Sequence, residues 1–177
     1  MRRFVVPLVL AFAGAAVAGC SGAVVSGSPT TAAKSSAGGD NYGTAFNSCT
    51  DLTDGDVRSY GLDPSTKADT TSAIEGLGQG CGWGNNDTLV SFTVGRQTIA
   101  DFKANKGFQV AKPVVIGGRD SVEIVLDDTG NCAIAILTGS SAVVVGLSLK
   151  FDSLKTAGDP CVSATNIADK FVTKLPK

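Results

Sequence analysis

Five cysteines and not one histidine set the chemistry open to this chain of 177 residues. The cysteines are Cys20, Cys49, Cys81, Cys132 and Cys161. A thiolate is a nucleophile and a metal ligand, and two thiols are a disulfide in waiting. Without an imidazole, Ser-His-Asp and Cys-His machinery is excluded, as are histidine-ligated metal sites. The other nucleophile patterns fail too. No Ser-x-x-Lys occurs, and Gly139-Ser140-Ser141 sits where a hairpin turn is expected, not on a strand-to-helix elbow. Asp127 and Asp128 are adjacent in a turn, whereas glycoside hydrolysis needs two carboxylates across a cleft. No catalytic residue and no cofactor are therefore expected.

Cys20 differs from the other four by what precedes it. Arg2 and Arg3 give a positive start, and residues 4–17 are apolar and uncharged, interrupted only by Pro7 and Gly14. That run falls short of the about 20 apolar residues that span a bilayer, and it ends in small residues. It has the build of an export signal. Val17-Ala18-Gly19-Cys20 resembles the lipobox of bacterial lipoproteins. In that motif the cysteine thiol takes a diacylglycerol and the chain is cut just before it. The resemblance implies a signal peptide over 1–19, lipidation at Cys20, and a protein exported and anchored to the outer face of the cell membrane. Two acyl chains suffice for stable anchoring, so the rest of the chain needs no membrane device.

The remaining four cysteines form an even set in an exported chain, which implies two disulfides. Four cysteines allow three pairings, and sequence does not formally choose among them. The expected pairing is Cys49–Cys81 and Cys132–Cys161. Each bridge then closes a loop of about 30 residues and stabilises the fold by about 3–4 kcal/mol on the chain-entropy model. A Cys₄ metal site is not expected, because no two of these cysteines have the C-x₂₋₄-C spacing of a zinc knuckle. Removing Arg2 and Arg3 takes the 15 basic side chains to 13, against 16 acidic ones, a mature charge of −3. Nucleic acid is a poor partner for that balance.

These residues need elements to hold them. Residues 20–45 are Ser, Gly, Ala and Thr with almost no large apolar side chain, so after Cys20 they read as a flexible linker spanning roughly 25–30 Å. One domain is expected over 46–177. Thr53 looks like an N-cap with Asp54 and Asp56 in the first turn and Gly61 as the stop, and a polar loop should follow around Pro64. Cys81 and Trp83 then share one strand face, with glycines on the other, and the strand hairpins through Asn85-Asn86-Asp87 to Val90, Phe92 and Val94. The glycines lack the G-x-G-x-x-G or Gly-Lys-Ser/Thr pattern of a phosphate loop. A helix over 98–105 precedes strands at 108–110, 114–116 and around Val122 and Ile124. The most apolar hairpin, 132–137 with 142–151, should form the sheet centre. Asp127-Asp128-Thr129-Gly130-Asn131, between the strand around Val122 and Ile124 and this hairpin, lacks the ligand spacing of a calcium loop and reads as a turn. Asp159 and Pro160 then start a last helix whose Ala164, Ile167, Ala168, Phe171, Val172 and Leu175 stripe is core.

The fold expected is α+β: a single, mostly antiparallel sheet of about five or six strands, two or three helices packed on it, and two disulfides. The order of motifs resembles an actinobacterial lipoprotein family classed as a domain of unknown function, which includes mycobacterial lipoproteins of the Lpr group. The matching residues are Cys49 before Leu52-Thr53, Cys81-Gly82-Trp83, Val115-Ile116-Gly117-Gly118, Cys132, and Asp159-Pro160-Cys161 at the head of a helix running to Leu175-Pro176. The resemblance implies an envelope lipoprotein and supplies no catalytic residues. Two functions remain open. One is a non-catalytic module that binds an envelope protein or a cell-wall component. The alternative is a carrier of a small apolar ligand or lipid, held beneath a helix against the 132–151 hairpin.

Overall fold

A computed structural model describes residues 44–71, 77–126, 131–154 and 158–177. Cys20, the expected signal over 1–19, nearly all of the expected linker and the 127–130 turn lie outside the described residues. Among the described residues seven strands form one sheet: β1 (Asp63–Thr71), β2 (Leu77–Gly84), β3 (Thr88–Gly95), β4 (Val110–Ile116), β5 (Arg119–Val125), β6 (Asn131–Thr138) and β7 (Ser141–Leu149). The helices are α1 (Ser48–Asp51), α2 (Asp54–Ser59), α3 (Ile99–Ala104) and α4 (Pro160–Phe171), with 3₁₀ turns at Phe151–Ser153 and Val172–Lys174. The α+β architecture and the single antiparallel sheet hold, but the counts of five or six strands and two or three helices were too low. The polar segment around Pro64, expected as a loop, is edge strand β1. Strand order is β1-β2-β3-β7-β6-β5-β4, every pairing antiparallel.

That order joins two meanders. β1 to β3 form one, and the chain then crosses to the far edge through α3 and returns as β4 to β7, so that β7 lands beside β3. Alternation along the central strands β6 and β7 gives the sheet two apolar faces. On one, Trp83, Phe92, Ile134, Ile136, Val143, Val145 and Leu147 pack under α1, α2 and α4. On the other, Val122, Ile124, Ala133, Ala135, Ala142 and Val144 pack with Ile99 and Phe102 of α3. The 132–151 hairpin is thus spent on two cores at once. Small alanines on the α3 side let a six-residue helix lie close, while branched residues on the other side meet the aromatic cluster of α4. Phe92 is the hub of that cluster, and Phe171 joins it to Phe46, its ring centroid 4.8 Å from Phe92 and 5.3 Å from Phe46.

Local sequence explains the helix starts. Thr53 and Asp56 form a reciprocal capping box for α2, and Thr98 and Asp101 repeat it for α3. Asp159 caps α4 by accepting from the Cys161 N–H at 2.8 Å, with Pro160 in the first turn. In the β4–β5 turn Gly117 has φ +57, and a Cβ there would stand 2.5 Å from Val172 Cγ1, so both backbone and space demand glycine. Lys174 reaches Asp56 at 2.6 Å and Lys170 donates to the Ser59 carbonyl at 2.9 Å, tying the end of the chain to α2.

Asp56 carries a pH dependence. The hydrogen bond from Lys174, then that from Thr53, lowers its pKa from 3.8 to about 2. A carboxylate lowered in the fold contributes stability that is full above its unfolded value and lost as pH falls from 3.8 through about 2. Lys174→Ala is expected to cost about 1 kcal/mol at neutral pH and to flatten the acid limb of a thermal-midpoint profile. An unchanged acid limb would mean that Lys174 does not act through Asp56.

Candidate functional site

The chemistry-bearing side chains gather where α1 crosses the β1–β2 edge of the sheet. Register places Asp69 directly opposite Cys81, so both side chains emerge on the α1 face. Asn47 caps α1, its Oδ1 accepting from the Cys49 N–H at 2.9 Å, and this aims Cys49 down at the strand. Cys49 and Cys81 are bonded, their Cα atoms 5.0 Å apart. Asp69 Oδ1 lies 3.6 Å from Cys81 Sγ. A bridged sulfur has no proton to donate, so this is a carboxylate resting on a disulfide. Lys67 closes the corner: its Nζ donates to the Cys49 carbonyl at 2.6 Å and lies 5.9 Å from the Trp83 ring centroid. Cys81 and Trp83 are buried, Cys49 is half-buried, and Lys67 and Asp69 are exposed.

Ser48 fixes this geometry. Next to a slip in the β2–β3 pairing between Leu77 and Gly80, the Ser48 hydroxyl fills a gap between the paired Cys81 and Phe92, donating to the Phe92 carbonyl at 2.7 Å and accepting from the Cys81 N–H at 2.9 Å. A side chain thereby replaces a rung of the ladder. Gly80 has no alternative there, since a Cβ would fall 1.9 Å from the Phe92 carbonyl oxygen. Ser48→Ala strands a buried donor and a buried acceptor together, so a loss of about 2 kcal/mol in urea unfolding is expected. A loss below about 0.5 kcal/mol would mean that the two strands close the gap unaided.

The second bridge, Cys132–Cys161, joins β6 to the first turn of α4 with Cα atoms 5.2 Å apart. Among the described residues no comparable cluster stands beside it. Cys49, Asp69 and Cys81 are the one group of metal-competent side chains among the described residues, their ligand atoms all within 4.8 Å of one another. Arg119, at the other end of the sheet, spends its guanidinium on the carbonyls of Leu137, Leu175 and Pro176, closing the C-terminal segment. Asp56, Asp63 and Asp101 are held below the usual carboxylate range by hydrogen bonds at caps and turns, opposite to what a general acid needs. Burial, helped by Asp56, pushes the Tyr60 phenol up to about 12.

A different surface feature lies at the end of the sheet where β2 turns into β3. Lys150 N–H donates to the Asp87 carbonyl at 2.8 Å and Ser153 Oγ to the Asp87 carboxylate at 2.8 Å, fastening the 3₁₀ turn after β7 to that hairpin. Phe151, expected as the last residue of a core strand, instead projects from this turn and is 86% exposed. Leu89 opposes Ser148 beside it, Leu154 ends the turn, and Val162 follows the Cys161 that is bridged to β6; all three are exposed. Sequence reading missed Lys67, Asp69 and Ser48 because their roles depend on strand register. It missed Phe151 because apolar character alone extended β7 too far. Among the described residues no helix is long and apolar enough to cross a membrane.

A family model described as a protein of unknown function, DUF3558, matches residues 15–174. No curated protein matches the chain, and no solved structure does.

Proposed function

The chain belongs to the DUF3558 family of proteins of unknown function, and from that premise we propose that it is a cell-envelope lipoprotein of the actinobacterial, Lpr-like kind. It is a non-catalytic interaction module, exported, anchored through Cys20 to the outer face of the membrane, and held off the headgroups by the linker over 20–45. The domain over 46–177 engages an envelope protein or a cell-wall component. The observation that carries the binding role is the exposed apolar turn after β7: Phe151 and Leu154 stand in solvent on one 3₁₀ turn, with exposed Leu89 on the neighbouring strand β3. Exposed apolar groups gathered in this way are characteristic of interaction sites. The carrier reading draws less support, because the hairpin meant to line a pocket has its side chains engaged in two packed cores.

A photocrosslinking residue placed at Phe151 in living cells is expected to trap a discrete partner, whereas the same probe at exposed Lys103 on α3 traps none. Phe151→Asp should abolish partner recovery while changing stability by no more than about 0.5 kcal/mol, as befits an exposed position. Equal trapping at both positions would refute the assignment of this surface. For the anchor, Cys20→Ala should release or stall the protein; undiminished membrane retention would overturn lipidation at Cys20.

A further inference from the structure

We propose that the corner formed by Cys49, Cys81 and Asp69 is a metal site in the reduced protein, taking one zinc-class divalent ion in place of the Cys49–Cys81 disulfide. Two thiolates and a carboxylate are a donor set suited to zinc. Geometry supports it beyond composition. Zinc bonds of about 2.3 Å to sulfur and about 2.1 Å to oxygen at tetrahedral angles require a sulfur-to-oxygen separation of about 3.6 Å. Asp69 Oδ1 and Cys81 Sγ already stand 3.6 Å apart. The two sulfurs must part to about 3.8 Å, and the three ligand atoms already lie within 4.8 Å of one another. That movement falls to the half-buried Cys49 side chain, since the backbones of Cys81 and Asp69 are held by the β1–β2 register. The exposure of Asp69 leaves the fourth position to water. The ligands come from α1, β1 and β2, at a spacing no sequence pattern for zinc describes.

The chemistry balances. A phosphine or dithiol supplies two electrons, and with two protons these convert the disulfide to two thiols. The phosphine takes its oxygen from water, which releases the two protons, and becomes a phosphine oxide; a dithiol gives up its own two protons and becomes a disulfide. The incoming dication then displaces both thiol protons and binds two thiolates. Oxidised bridge and bound metal are therefore exclusive states of one corner, and metal protects the thiolates from reoxidation. Among the described residues no carboxylate stands beside Cys132 and Cys161 in this way.

The test uses the full chain in detergent, reduced with a phosphine and titrated with cobalt(II) alone as the probe. One equivalent should raise the near-ultraviolet charge-transfer band and intense visible bands of tetrahedral thiolate-bound cobalt. Asp69→Asn should weaken binding about tenfold or more, and Asp69→His, which restores a ligand, should recover it. Zinc should slow alkylation of Cys49 and Cys81 in wild type about tenfold or more, resolved by peptide, and leave Cys132 and Cys161 unaffected. Alkylation reads the site even if reduction loosens the fold. Absent cobalt bands, bands indifferent to Asp69→Asn, or protection of Cys132 and Cys161 instead would each overturn the proposal.

Discussion

Phe171→Ala is expected to lower the unfolding free energy by about 3–5 kcal/mol, read as a shift of the urea midpoint at unchanged slope. The side chain is fully buried and joins α4, β3 and the segment before α1 through Phe92 and Phe46. Truncation loses the transfer free energy of the ring, leaves a cavity, and removes two aromatic pairs worth about 0.5–1.5 kcal/mol each. Neighbours cannot refill the space, because Phe92 is itself held between Tyr60 and Trp83, at 5.8 and 5.9 Å. Phe102→Ala offers a sharper comparison. Phe102 is as deeply buried, but on the α3 face, where it belongs to the other core. With the sheet between them, the two losses should add to within about 0.5 kcal/mol. A loss below about 1 kcal/mol for Phe171→Ala would mean that α4 is not seated as described, and strong coupling would mean that the two cores are one.

The contrast between faces also explains what could be read from the sequence. α4 was legible because its cap, its proline and a long stripe of apolar residues agree, and Phe171 and Ala168 fall on the core side as that stripe requires. β3 was legible because Val90, Phe92 and Val94 alternate over a half-buried strand. β1 was not. Its sequence, DPSTKADTT, has no apolar face, because it sits at the sheet edge and contributes two charged side chains to a surface corner. α1 is too short, at four residues, for any periodicity to show. Strand order lay deeper still: the crossing from β3 to the far edge through α3 has no local signature, and only packing decides it. The same limit hid the Cys49, Asp69 and Cys81 corner. Cys49 and Cys81 were visible as thiols, but Asp69 joins them through register alone.

Replacing both Cys132 and Cys161 by serine should cost about 3.5 kcal/mol, by the entropy of a closed loop. The separations of the two bridges, 29 and 32 residues, make the corresponding loss for Cys49 and Cys81 nearly equal on that account. Much of the effect belongs to the unfolded chain, which gains conformations when the cross-link goes. Unfolding should then expose more surface, so the urea slope should rise while near-ultraviolet circular dichroism of the native state stays unchanged. The reason is that α4 has independent attachments: its apolar stripe, Phe171 against Phe92, and Lys170 on the Ser59 carbonyl. α1 has fewer, chiefly the Ser48 hydroxyl set into the β2–β3 ladder and the Lys67 bond to Cys49. Loss of the Cys49–Cys81 bridge should therefore loosen α1 locally, seen as faster amide exchange over residues 48–51, while loss of the Cys132–Cys161 bridge leaves α4 protected. If α4 exchanges as freely as α1 in its own bridge mutant, the cross-link and not the apolar stripe holds that helix to the sheet.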